Sequence, residues 1–211
     1  MPRKTYHHGD LKNALIKAGV DILAKEGVAG LSLRKVAQKA GVSHTAPYAH
    51  FTDKQALIAA ISTEGFRMLY EQLTAVRLKY LDDPRRQLVE AAWAYVQFAQ
   101  NEPAHFRVAF SSAVEHEKDY PALLEMIRKS YGEVVGVTQA CQVSGLLRPG
   151  PADVLAVSVW SIVHGFASLL IEGQISHTVF ERMTVREMLI FTLNQITLVE
   201  LDPEESGNPK T

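Results

Sequence analysis

The sequence predicts an all-α chain of about nine helices, with a three-helix helix-turn-helix head and a larger helical-bundle body. Three observations predict it. Apolar residues recur at a 3.6-residue period through most of the 211 residues, and alternating strand patterns are nearly absent. Gly, Pro, Ser and Asp punctuate that pattern where helices should start and stop. Charge divides along the same line. Residues 1–54 hold nine Lys or Arg against four acids, a net +5, on a chain whose net charge is −1, so the remainder carries −6. A basic head on an acidic body implies an anionic partner for the head alone.

The elements follow in order. A first helix runs from Leu11 to about Lys25, with Asp10 as its cap, Leu11, Leu15, Ala18, Ile22 and Leu23 on one face, and Gly27 as its end. Ser32 starts a short second helix, closed at Gly41. A third, seven or eight residues long, lies within His44–Phe51. Asp53 caps a long fourth helix reaching about Tyr80. Pro84 and Pro103 open the next two. Another helix covers Pro121 to Val143 and ends at Gly145, and LLRPGPAD is a loop. Two apolar helices follow, at about 152–173 and 184–200. The polar tail, 202–211, reads as disordered.

A single cysteine, Cys141, rules out an intrachain disulfide, and MPRKTYHHGDLKNAL has no signal-like apolar run. Val154–Ile171 contains no Asp, Glu, Lys or Arg and reaches the length of a membrane span. Its Ser158, Ser161, His164 and Ser168, with acids at both ends, favour a helix buried in a core or interface. The chain reads as soluble and cytoplasmic.

The third helix carries the functional question. It buries little, so stability alone does not explain it. Helix, Ala40-Gly41-Val42, then a very short helix is helix-turn-helix spacing. Gly41 supplies the left-handed turn, Val36, Ala37 and Val42 can join the pair, and Phe51 turns inward. Pro47 is tolerated only in a first turn, which sets His44, Thr45 and Ala46 at the leading edge. Those three suit base edges: a hydroxyl, an imidazole, and a methyl for thymine. Tyr48, His50 and Lys54 fall where phosphates would run. Ser32 and Arg34 make a second anion-binding helix start. Arg3 and Lys4 could trail into a neighbouring groove. Each feature alone has an ordinary structural reading, and the case rests on their convergence with the local charge.

The stretch LSLRKVAQKAGVSHTAPYAHFTDKQALIAAI resembles the DNA-binding head of the TetR family of bacterial transcription regulators. The resemblance runs from about Tyr6 to Phe66. It implies a domain over residues 6–66, with the helix-turn-helix at 32–51, and a ligand-binding and dimerisation domain over 67–201. By position, Ser32, Arg34, His44, Thr45, Ala46, Tyr48, His50 and Lys54 inherit DNA contacts. Ala49 departs from the larger or basic residue common there, so the operator cannot be borrowed from a relative. The segment WSIVHG is similar to a Trp-His-Gly signature of one branch: Trp160, His164 and Gly165. The family further implies a homodimer formed through the last two long helices, a pseudo-palindromic duplex operator, and a repressor released by a small effector.

In the body, Trp93, Phe106, Phe110, Tyr131 and His164 are the candidate lining of a largely apolar ligand site. His164 reads equally as a hydrogen-bonded core residue beside Trp160, four residues earlier on one face, and Gly165 as a point of close helix approach. The histidines lack metal-ligand spacing, no phosphate loop or nucleophile elbow is present, and no cofactor is implied. The competing reading is a helical small-molecule-binding protein or enzyme with an incidental helix-turn-helix. An architectural DNA binder without a ligand is a third, disfavoured by the size of the apolar body.

Overall fold

A computed structural model of the chain describes residues 8–202. The proposed N-terminal arm, Arg3 and Lys4, and the tail beyond 202 lie outside the described residues. All regular structure among them is helical. They form two compact units, one comprising residues up to Phe66 with Pro103–Met126, the other Arg67–Glu102 with the chain from Ile127 onward. The first unit thus includes residues 103–126, a stretch the sequence reading placed in the body.

In the first unit, α1 spans His8–Gly30 and leaves helical geometry at Gly27 (φ 67°, ψ −173°). Its helical backbone begins at His8, ahead of Asp10, so Asp10 is not the cap. Leu15, Ala18, Ile22 and Leu23 are buried, as the period predicts. A Cβ at Gly19 would lie 2.9 Å from Ile61 Cδ1, so glycine lets α1 approach the following long helix. α2 spans Leu33–Ala40, and α3 spans Lys54–Lys79. Asp53 caps α3, its Oδ1 accepting from Ala56 N–H at 2.8 Å. α5, Pro103–Ala109, adds Phe106, which packs with Phe110 at 5.0 Å between ring centroids. Phe110 in turn meets Phe66 edge-on at 5.2 Å. This aromatic trio, with the Glu115 N–H donating to the Gln55 side chain at 3.0 Å, is why 103–126 joins the head's core.

The second unit is built from α4 (Pro84–Asn101), α6 (Pro121–Val143, its later part), α7 (Ala152–Ile171), the single turn α8 (His177–Phe180) and α9 (Val185–Leu193). α4, α7 and α9 pack on one another. Leu88, Val96 and Phe98 on α4, Ala156, Val159 and Val163 on α7, and Leu189 and Leu193 on α9 are all buried. Asp83 caps α4, and Thr184 with Glu187 forms a reciprocal cap on α9. α9 ends at Leu193, well short of 200, because the chain turns at Asn194, whose Oδ1 accepts from the Leu201 N–H at 2.8 Å.

α7 is long and apolar enough to cross a membrane by length and composition, with a mean hydropathy of 2.0 over its most apolar stretch. Only 22% of that stretch is buried in the chain. Val159 and Phe166 face the core, while Val154, Val157 and Leu169 are exposed. At Gly165 a Cβ would meet nothing within 4 Å, so among the described residues no other helix makes the close approach expected there.

Candidate nucleic-acid interface and the body cluster

Ser32 has extended backbone and its Oγ accepts the Lys35 N–H at 3.2 Å, opening α2. Arg34 follows in the first turn and points outward. At the other end Gly41 adopts the left-handed conformation (φ 70°) and closes the helix onto Ala37 and Gln38 carbonyls. The next element is shorter than the sequence implies. A 3₁₀ turn covers Ala46–Ala49 only. Its bonds run from i to i+3, Tyr48 N–H to the Thr45 carbonyl at 3.2 Å and His50 N–H to the Pro47 carbonyl at 2.9 Å. Pro47 lies in the first turn, where its missing N–H breaks no bond; its carbonyl also accepts from the Phe51 N–H at 2.9 Å, and its buried ring anchors the turn.

That tight winding sets the outward surface. His44 and Thr45 are exposed ahead of the turn, and Thr45 Oγ1 lies 3.1 Å from Ser43 Oγ. Tyr48 is 62% exposed, unusual for so large an aromatic side chain. Ala46 is half-buried. His50 is half-buried, and its Nε2 is enclosed with no hydrogen-bond partner. Phe51 is buried in the head core. Lys54 opens α3 and forms no ion pair among the described residues, and neither does Arg34.

Charge counting alone cannot separate those two from their neighbours. Lys35 pairs with Glu26 at 2.6 Å and Lys39 with Asp21 at 3.2 Å, bracing α2 against α1. Of the cations on these two helix starts and on α2, Arg34 and Lys54 are the ones left to face a partner. There, unsatisfied N–H groups and the helix dipole add to the positive field.

The candidate ligand residues of the body divide between the two units. Phe106 and Phe110 belong to the head's aromatic core. Trp93, in the second unit, lies under the Arg186 guanidinium at 5.4 Å. Tyr131 and His164 both border Trp160, at centroid distances of 6.3 and 5.9 Å. The Tyr131 hydroxyl donates to the Asp153 carbonyl.

A residue not singled out in the sequence organises this cluster. Tyr95 is buried, and its oxygen accepts from Trp160 Nε1–H at 3.2 Å. Its hydroxyl lies 2.7 Å from His164 Nδ1. Burial lowers the His164 pKa, so the ring is neutral near pH 7 and Nδ1 accepts from Tyr95. Burial also pushes the Tyr95 phenol well above its usual range, keeping it a donor. Beside the cluster lies an apolar cavity of about 30 Å³, bordered by Leu73, Leu88, Val159, Trp160 and the aliphatic part of Glu133. Glu133 holds Arg77 Nε at 2.5 Å. Such a space holds about one water molecule. Periodicity could not have picked out Tyr95 among several aromatics, because its role depends on which helix faces it. Cys141 is a buried thiol, its pKa pushed up to about 12 by burial.

The chain matches known proteins over both units. The family model for bacterial regulatory proteins of the tetR family matches residues 15–61, and the tetracyclin repressor-like C-terminal domain model matches residues 88–192. The HTH-type transcriptional regulator YobS of Bacillus subtilis is 26% identical over 162 residues, covering 77% of this chain and 80% of that protein. The class A tetracycline repressor of transposon 1721, from Escherichia coli, is 38% identical over 85 residues, covering 40% of this chain and 38% of that protein. Among solved structures, a protein of unknown function from Rhodococcus sp. RHA1 is 29% identical, with a TM-score of 0.74, covering 92% of this chain and 96% of the other. With one family's N-terminal model on the helix-turn-helix and its C-terminal model on the helical bundle, the chain belongs to the TetR family of transcription regulators.

Proposed function

We propose that this protein is a cytoplasmic, homodimeric repressor that leaves a pseudo-palindromic operator when a small, largely apolar effector enters its body. The observation that carries the DNA half is the outward edge of the head. His44, Thr45 and Tyr48 are exposed on a turn anchored by Pro47, between two helix starts whose cations, Arg34 and Lys54, have no internal partner. His44, Thr45 and Ala46 read base edges. Ser32, Arg34, Tyr48, His50 and Lys54 hold phosphates.

The dimer half rests on α7. Its outer face combines Val154, Val157 and Leu169 with the small residues Ser158, Ser161 and Gly165. Apolar exposure on that scale is what a partner helix covers, and small residues let it come close. Exposed Phe191, on α9, extends the apolar surface available. A two-fold partner would give two heads, which must meet successive major grooves about 34–36 Å apart or a multiple of that. The effector's site is the cavity beside Tyr95, Trp160 and His164, which must expand to admit a ligand. An effector that fits only the mis-spaced dimer lowers operator affinity by its differential affinity for the two states.

The test is selection of bound duplexes from a random pool, followed by titration of apolar compounds against the selected operator. Recovery of an inverted repeat, and a compound that both alters Trp fluorescence and releases DNA, supports the reading. A monomer at micromolar concentration by light scattering, or enrichment of no sequence, contradicts it.

A further inference from the structure

A second surface of the body carries chemistry that the operator and the apolar cavity leave unused. Between the end of α3, the outer side of α4 and the start of α9 lies an open groove of about 670 Å³. Its charged lining is Lys79, Arg86 and Arg186 against one carboxylate, Glu90. Arg186 and Glu90 satisfy each other at 2.6 Å. Lys79 and Arg86 have no ion-pair partner among the described residues. Instead both sit over the same ring: Lys79 Nζ is 5.1 Å and Arg86 Cζ 4.8 Å from the Tyr80 centroid.

That arrangement is not self-sufficient. Two cations sharing one ring lie within about 10 Å of each other, inside the screening length at ~0.1 M salt, so they repel. A cation over the half-buried Tyr80 ring is held only weakly. Nor are they needed to finish α3, since Gln87 Nε2 already donates to the Arg77 and Tyr80 carbonyls, at 3.0 and 3.4 Å. Moreover, Arg86 Nε is enclosed and makes no hydrogen bond. An enclosed guanidinium N–H with no acceptor is costly, so a shift of the Arg86 side chain that brings it to an acceptor in the groove is favoured. Next to these cations the groove offers the Trp93 indole as an aromatic surface.

We infer that this groove is a binding site for a small organic anion, whose carboxylate or phosphate head bridges Lys79 and Arg86 while an aromatic or apolar body lies against Trp93. The head takes the Arg86 Nε–H and relieves the repulsion between the two cations. The site is separate in residues from the cavity beside Tyr95, so either can fail alone.

The test uses isothermal titration calorimetry on the full chain with phenyl phosphate, benzoate, the uncharged benzyl alcohol, and a short duplex lacking any operator. Saturable binding of phenyl phosphate or benzoate, one per chain, is expected, with no binding of benzyl alcohol. The K79Q/R86Q double variant should bind the anion at least about tenfold more weakly, because it loses both charge-assisted contacts. Its circular-dichroism melt should be unchanged for Lys79→Gln alone, the side chain being exposed. In a Trp160→Phe background, Trp93 is the one remaining tryptophan, and its emission should respond to the anion. Unchanged affinity in folded K79Q/R86Q, a silent Trp93, or no saturable anion binding overturns the inference. So does weakened duplex binding in the double variant without anion binding, which would make the groove a nucleic-acid surface.

Discussion

The outer edge of the head and the cluster in the body use the same kinds of side chain to opposite ends. Each places a tyrosine beside a histidine. In the body, Tyr95, Trp160 and His164 are turned inward and complete one another's hydrogen bonds. In the head, Tyr48 stands 62% exposed and His50 keeps an enclosed nitrogen without a partner. Cations divide the same way. Arg77 is committed to Glu133, while Arg34 and Lys54 pair with no acid among the described residues. The difference teaches how to tell a fastening from a contact surface. Groups that satisfy each other hold the fold together. Groups left exposed or incomplete on a firmly anchored turn are available to something else.

Substitutions can break this comparison, and the largest effect should come from the fastening. Trp160→Ala should cost about 3–5 kcal/mol of stability by opening a cavity and removing the N–H that the Tyr95 oxygen accepts, read by denaturant unfolding. An exposed-edge change such as Tyr48→Ala should cost within about 0.5 kcal/mol by the same measurement. If the two cost the same, the distinction fails. Next in size, Tyr95→Phe leaves the Trp160 N–H and His164 Nδ1 without their shared partner. A loss of about 1–3 kcal/mol is expected, with sequence preference for DNA retained.

On the interface side, Val157→Glu or Leu169→Glu should give monomers by light scattering without greatly lowering unfolding stability, since both side chains are exposed. Leu189→Glu is a poor probe of the dimer, because Leu189 is wholly buried in its own chain and the variant would fail to fold.

A smaller effect sharpens the comparison by pH. His164 has a lowered pKa in the folded chain, so the unfolded chain binds the proton first as pH falls through the ordinary histidine value, about 6.5. Its contribution to stability is therefore complete above that value and is lost on acidification below it. His164→Asn should flatten the acid side of the stability profile relative to the wild type. An unchanged slope would mean that His164 is not the buried neutral acceptor described.

Much of this was legible in the sequence, and the exceptions have physical causes. The bounds of α2 follow from Ser32 and Gly41, and the starts of α3 and α4 from Asp53 and Pro84, because helix starts and stops are local chemistry. The inward turn of Phe51 follows from the period of the head. The winding of the short element at Ala46–Ala49 did not, because propensity does not say whether an α-helical or a 3₁₀ turn wins over four residues. α7 is apolar almost all round, so its sequence cannot reveal which side faces its own core. Val159 and Phe166 are inside, and Val157 and Leu169 are not. The same ambiguity hid the open side of Gly165. Grouping Trp93 with Phe106 and Phe110 rested on aromatic content alone, and tertiary packing assigns Phe106 and Phe110 to the first unit and Trp93 to the second.

The most direct test of the central claim, that the exposed edge of the head reads and grips DNA, is operator binding across salt concentrations for Lys54→Ala and Thr45→Ala. Lys54→Ala should weaken all duplexes alike and reduce the slope of log K against log salt by about one unit, as one phosphate contact disappears. Thr45→Ala should keep the slope and lose about 1–3 kcal/mol of discrimination at one operator position. A Lys54→Ala variant with altered sequence preference and an intact salt slope would contradict the account.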